Sequence, residues 1–286
     1  MQRPSESRRG ASAASRDEPR PFLKWVGGKG QLLEQLRPLL PGEPWRRYFE
    51  PFVGSAALFF ALRPKGATLS DVNRELVDCY RAVQGHVEDV IRALARHEYD
   101  ETRYYDVREQ VPRDLPLAER AARTIYLNKT GYNGLYRVNR AGRFNVPFGR
   151  YTNPGFASPE SFENLRACAR ALKGAKVCVR DFGDVVKRAK AGDFVYFDPP
   201  YVPVSETSDF TSYVPGGFGR EDQERLAGIF EQLTDAGVRV MLSNSDTPSV
   251  RELYARFQIA TVTAARSINS RANKRGKVRE VVVTNY

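Results

Sequence analysis

Short apolar runs rich in Val, Phe and Tyr recur along the chain, most of them ending near Gly, Pro or Asp. They are Arg47–Phe52, Ala67–Asp71, Ala175–Val179, Asp193–Asp198, Val238–Ser243, Gln258–Thr263 and Val278–Thr284, and runs of this kind predict strands. Between them lie stretches with helical apolar periodicity, among them Gln31–Leu40, Arg74–Val83 and Arg220–Ala236. Strands separated by helix-length segments predict an α/β fold with a mostly parallel sheet. The last two runs are joined by a polar, basic segment, Arg266 to Arg279, rather than by a helix. That predicts a terminal antiparallel pair.

The alternation breaks once. Residues 85–157 carry two helical patterns, Val87–His97 and Leu117–Lys129, followed by an irregular Gly/Asn/Arg stretch without a core strand. A mostly helical domain at 85–157, inserted into a larger domain made of 21–84 and 158–286, accounts for this. Residues 1–20 are mainly Ser, Arg, Ala and Pro. Such a segment buries too little apolar surface to offset its ordering entropy, so a disordered tail is expected. Its acids Glu6, Asp17 and Glu18 are the wrong composition for a transit peptide.

Charge changes the picture. Lys and Arg number 45 against 34 Asp and Glu, a formal net charge of +11, which favours a polyanionic partner. No run approaches the roughly 18 apolar residues of a membrane span. Cys79, Cys168 and Cys178 are far apart, which argues against a disulfide scaffold or a cysteine zinc module. His86 and His97 are the sole histidines, both in helical patterns, and read as surface helix positions rather than metal ligands. A cytoplasmic monomer without metal or membrane contact is expected.

The sharpest candidate for chemistry is Asp193-Phe-Val-Tyr-Phe-Asp198-Pro199-Pro200-Tyr201. It sets Asp198 at the carboxyl end of a strand, where open α/β sheets place ligands. A residue before proline is held extended, and the two prolines remove two N–H donors. A carboxylate and backbone carbonyls remain, all acceptors. They suit a group with two N–H donors, such as the exocyclic amine of a nucleobase, with Tyr201 offering a ring face for stacking.

Three other segments add to it. Tyr48-Phe-Glu-Pro-Phe-Val-Gly54-Ser-Ala-Ala57 reads as strand, turn and helix start, and Asp71 ends the next strand seventeen residues after Gly54. An acid at that place suits ribose hydroxyls, while the missing G-x-G-x-x-G points to a nucleoside cofactor without pyrophosphate. Phe22-Leu-Lys-Trp-Val-Gly-Gly-Lys29 is not a Walker loop, because Gly30 follows Lys29 and Leu23 stands six before it. Its glycines permit close backbone approach, flanked by Trp25 and Lys29. From Arg123 to Tyr151 the chain has six cations, six aromatics and no acid. Cations interleaved with aromatics serve phosphate contacts, stacking and base-edge bonds. A zinc deaminase is excluded, since H-x-E with P-C-x-x-C is absent.

Taken in order, Phe22–Lys29, Glu50–Gly54, Asp71-Val-Asn73 and Asp198–Tyr201 resemble the Dam-type (D12 class) DNA adenine-N6 methyltransferases over residues 21–286. Asn128–Arg137 and Arg143–Tyr151 are similar to that family's target-recognition segments, and Ser243–Thr247 and Arg266–Ser270 match as well. The resemblance implies a Rossmann-like S-adenosylmethionine-dependent methyltransferase sheet with a helical DNA-recognition insert. It implies that Trp25, Lys29, Asp71 and Asp198 line the S-adenosyl-L-methionine site and that Asp198, Pro199, Pro200 and Tyr201 hold a flipped adenine. Lys24, Tyr132, Asn133, Leu135, Arg137, Pro147 and Tyr151 would contact double-stranded DNA, with GATC the usual target. Lys129 stands where relatives often have Arg, and Tyr136 where a smaller residue is expected. A cytosine-N4 methyltransferase, whose target amine has the same two donors, and a catalytically silent DNA-binding module are the rival readings.

Overall fold

The computed structural model describes residues 18–201, 218–265 and 277–286. The strands are β1 (Tyr48–Glu50), β2 (Ala67–Asp71), β3 (Lys176–Val179), β4 (Phe194–Phe197), β5 (Arg239–Ser245), β6 (Gln258–Ala265) and β7 (Lys277–Thr284). They form one sheet in the order β3-β2-β1-β4-β5-β7-β6. Strands β1 to β5 pair in parallel, and β7 runs antiparallel between β5 and β6. The expected antiparallel pair is there, with β7 inserted inside the edge.

Successive strands step outward from β1 to β3, then restart on the other side with β4 and β5. The reversal lies between β1 and β4, and the loops leaving their carboxyl ends diverge there. That is the place where an open α/β sheet leaves a crevice.

Both faces of the sheet are covered. Tyr48, Phe194, Tyr196, Met241 and Val282 join Leu36, Phe60, Leu69, Tyr80 and Ile125 in one core. Their neighbours Phe49, Val195, Phe197, Val240, Leu242, Val281 and Val283 join Phe182, Leu226 and Phe230 in the other. Alternate residues of a strand face opposite ways, so strands buried on both sides read as unbroken apolar runs.

The helices are α1 (Leu33–Leu36), α2 (Ala57–Leu62), α3 (Arg74–Leu94), α4 (Glu101–Glu109), α5 (Leu117–Thr130), α6 (Pro159–Leu172), α7 (Arg220–Asp235) and α8 (Pro248–Leu253). The expected helix over Gln31–Leu40 is broken into α1 and two flanking 3-10 turns, Lys29–Gln31 and Arg37–Leu39. Pro38 lacks an N–H and its ring crowds the preceding turn, so a continuous helix cannot form. The patterns Arg74–Val83 and Val87–His97 belong instead to one helix, α3, bent at His86 (φ −140°, ψ 37°). The bend falls beside the expected division at 84/85.

His97 is a correction. It lies beyond α3, half-buried, with its ring stacked on Tyr126 at 4.6 Å. Burial and the nearby Arg103 and Arg96 push its pKa down to about 4, so it is a neutral packing residue. His86 is exposed.

Residues 18–20, assigned to the expected tail, are among the described residues. Pro19 is buried, and Asn164 on α6 exchanges two hydrogen bonds, each 2.9 Å, with the backbone N–H and carbonyl of Arg20. Residues 1–17 and 266–276, which hold the rest of that tail and most of the basic link, lie outside the described residues. Among the described residues no helix is long and apolar enough to cross a membrane.

Candidate active site and nucleic-acid interface

The turn after β4 is braced from several sides. The Pro200 carbonyl accepts from Gln223 Nε2 of α7 at 3.0 Å, and Gln223 Oε1 accepts from Asn244 Nδ2 of β5 at 3.0 Å. The Tyr201 hydroxyl donates to Glu280 Oε2 of β7 at 2.6 Å. Among the described residues nothing bonds the Pro199 carbonyl. Of the two backbone acceptors offered by the prolines, that of Pro200 is used for bracing.

Lys29 closes the group. Its side chain is 2% exposed, and Nζ lies 2.7 Å from Asp198 Oδ1 and 4.6 Å from the centroid of the Tyr201 ring. It also donates to the Gly27 carbonyl, which aims the ammonium inward. One face of Tyr201 is thus covered by a cation. Burial raises the Asp198 pKa to about 6, against the opposing pull of Lys29.

Glu50, at the end of β1, is a second carboxylate near this ammonium. It accepts from Tyr48 Oη at 2.8 Å and from the Phe59 N–H. Burial and the nearby Asp198 raise its pKa to about 8. A carboxyl whose pKa is raised by folding is a stability contribution held at low pH and lost as pH rises through that value. Glu50→Gln is accordingly expected to gain thermal stability relative to wild type between pH 6 and pH 9, in melting curves over that range. A gap independent of pH would contradict it.

A second group of side chains faces the β1–β4 crevice from the β2 side. Asp71 ends β2, and its carboxylate accepts backbone N–H bonds from Asn73 (2.9 Å), Gly54 and Val72. Its pKa is raised to about 6 by burial, which those bonds oppose. Asp71 is not the helix cap. Asn73 is, accepting from the Leu76 N–H at 3.1 Å. The Asn73 Nδ2 is a buried donor without a partner among the described residues.

Trp25 lies against the loop after β1. A Cβ on Gly54 would come within 3.0 Å of its ring, and Gly54 has φ +43°, so both the contact and the backbone favour glycine. The acid at Asp71, the indole of Trp25 and the bare Gly54 offer a hydroxyl acceptor beside a flat apolar wall. These residues fit a nucleoside-bearing molecule.

Of the basic, aromatic segment, Arg123, Tyr126, Tyr136 and Phe144 are buried in the core, and the rest contributes to a surface next to this crevice. Tyr132 is 45% exposed, and its N–H donates to the Pro147 carbonyl at 2.9 Å. Asn133 is exposed with φ 56°. Tyr151 donates its hydroxyl to the Gly131 carbonyl at 2.9 Å, and Lys24 Nζ lies 4.6 Å from its ring centroid. Arg137 is exposed and held by Asn145, with Nε to Oδ1 at 2.8 Å and Nη2 to the carbonyl at 3.2 Å. Leu135 sits half-buried between these positions. Lys24, Tyr132, Asn133, Leu135, Arg137, Pro147 and Tyr151 are thus brought together.

The Asn128 amide also ties that surface to the segment leading to Lys29. Asn128, on α5 and 1% exposed, accepts from the Lys24 N–H at 2.7 Å. Its Nδ2 donates to the carbonyls of Lys24 (2.7 Å) and Gly134 (3.1 Å).

Sequence reasoning missed Gln223 and Glu280. Glu280 left a trace, an acid inside the apolar run of β7. Gln223 left none. Among the described residues no group of His, Cys, Asp and Glu is arranged to hold a metal ion.

Comparison with known proteins agrees with this picture. The profile of the D12 class N6 adenine-specific DNA methyltransferases matches residues 25–268. A type II methyltransferase of Lactococcus lactis subsp. cremoris, M1.LlaDCHI, is 46% identical over 93% of this chain and 95% of its own. The type II methyltransferase M.MjaIII of Methanocaldococcus jannaschii is 41% identical over 94% of this chain and 100% of its own. The DNA adenine methylase of Escherichia coli K12 is 37% identical over 92% of this chain and 94% of its own. With a match of that length and relatives of that identity, the chain belongs to the D12 class of N6 adenine-specific DNA methyltransferases.

Proposed function

We propose that the protein is a site-specific methyltransferase acting on N6 of an adenine turned out of double-stranded DNA, within GATC, with S-adenosyl-L-methionine as donor. The observation that carries this is the Asp198 carboxylate at the carboxyl end of β4, paired with Lys29 and followed by a turn braced by Gln223 and Glu280; its prolines leave acceptors only, the carboxylate and the Pro199 carbonyl. Trp25, Lys29, Asp71 and Asp198 would hold S-adenosyl-L-methionine, which supplies a methyl group on a positively charged sulfur.

The chain's own contribution is to orient the amine and to stabilise charge. An adenine N6 lone pair is delocalised into the ring and attacks poorly. Asp198 and the Pro199 carbonyl accept its two N–H bonds and favour a more tetrahedral nitrogen as positive charge develops. Acceptors already in place cost no reorganisation during the step, and holding donor and acceptor in line removes much of the entropic barrier. Lys29 engages one oxygen of Asp198 and leaves the other for the base. No covalent enzyme intermediate is required.

Residues 85–157 would form the target-recognition unit. Asn145 occupies the Nε side of Arg137, so the end-on fork of the guanidinium points outward, the geometry that reads guanine O6 and N7. Arg137→Ala should lose about 1–3 kcal/mol of discrimination at one base pair, measured as relative kcat/KM on single-substitution duplexes. An equal loss on every sequence would reduce Arg137 to a phosphate contact. The overall proposal is tested by incubating plasmid with enzyme and S-adenosyl-L-methionine. Digestion with nucleases of different sensitivity to methylated GATC, and nucleoside analysis, should show N6-methyladenine in GATC. N4-methylcytosine, or no methylation, would overturn it.

A further inference from the structure

Tyr136 reaches from the recognition surface to the β1 and β2 side of the crevice. Its ring stacks on Trp25 at 5.2 Å and 29°, and meets Phe144 edge-on at 5.6 Å. Its hydroxyl lies near the side chains of Glu75 and Asn73 at the start of α3, just past Asp71. It is buried, although its chain neighbour Arg137 is exposed and carries the proposed base contact. Trp25 in turn presses on Gly54. A continuous packed path therefore runs from the Arg137 backbone through Tyr136 to Trp25 on one side and to the β2–α3 turn on the other.

Resting on the function proposed above, we propose that Tyr136 is a positioning residue that couples reading of the target to occupation of the cofactor cleft. A stacked ring in a packed interior cannot shift alone, because close-packed contacts move together or break. When Arg137 and Leu135 settle on a duplex, the Tyr136 backbone between them is fixed, and the Trp25 ring is fixed with it. A molecule lying on Trp25 then meets a wall already set. By linkage the same effect works in reverse, with cleft occupation tightening the grip on DNA.

The test uses the full chain and S-adenosylhomocysteine, which cannot donate a methyl group. Its dissociation constant is measured by equilibrium dialysis for the free enzyme and for enzyme saturated with a GATC duplex. In wild type the duplex should tighten binding about fivefold or more. Tyr136→Leu should bring the ratio close to one, and Tyr136→Phe, which keeps the ring and deletes the hydroxyl, should lower it at least about twofold. Melting curves check folding, and should Tyr136→Leu fail to fold, Tyr136→Phe decides. A wild-type ratio of one overturns the proposal, as does a ratio unchanged in the folded variants. A merely structural residue would weaken binding equally with and without DNA, leaving the ratio intact. Absence of methylated adenine in wild-type reactions would instead count against the function itself.

Discussion

Asp198→Asn is expected to lower kcat about a hundred- to a thousandfold, in the range seen when one preorganised polar group is removed from a reacting centre, while duplex affinity stays close to wild type. The substitution keeps shape and removes charge. It also places an amide N–H where either the Lys29 ammonium or the target amine requires an acceptor, and both are donors only. In the proposed assignment most DNA contacts fall to the separate surface of Tyr132, Arg137 and Tyr151, so anisotropy titrations should change little. Single-turnover methyl transfer should show the loss. Near-normal turnover would remove Asp198 from the reaction.

Lys29→Met should be the most damaging change to stability. It removes a buried cation from Asp198, with Glu50 and Glu280 nearby, and taking one partner from a buried pair costs about 3–5 kcal/mol. The deficit has a direction in pH. Asp198 already has a folded pKa above its ordinary value, and loss of the ammonium moves it higher, so the variant's penalty is small where Asp198 is protonated and grows as pH rises. Urea melts at pH 5 and pH 8 should show the larger loss at pH 8. Equal losses would mean that Lys29 acts through packing alone. With the carboxylate form as the proposed acceptor of the amine, wild-type activity should fall as pH drops through about 6, and the acid limb of any residual activity should lie higher in the variant.

Much of this was legible along the chain because it is local. An apolar run ending in Asp198-Pro-Pro announces a strand, a rigid turn and a set of acceptors together, and Asp71 is visible in the same way. Pro38 could have warned that the pattern Gln31–Leu40 would break, since periodicity registers side chains and not missing N–H groups. His97 was misread because a helical pattern outlasts the helix that carries it. What could not be read is what distant elements bring together. Lys29 and Asp198 are an ion pair across most of the chain, and no spacing rule links them. Gln223 and Glu280 reach the same turn from α7 and β7, on surfaces that exist only once the sheet has closed. Tyr136 looked like an oversized residue in a recognition segment, and its place against Trp25 gives the bulk a purpose.

The three bonds of Asn128 bear on how new target preferences can be engineered into this scaffold. Its amide grips main-chain atoms only, two on Lys24 and one on Gly134, and is indifferent to which side chains those stretches display. Libraries that vary Asn133, Leu135 and Arg137 therefore leave the anchorage whole. Wholesale transplantation of a foreign loop would need to reproduce the Gly134 carbonyl in place, or the specificity module would come adrift from the chemistry it directs.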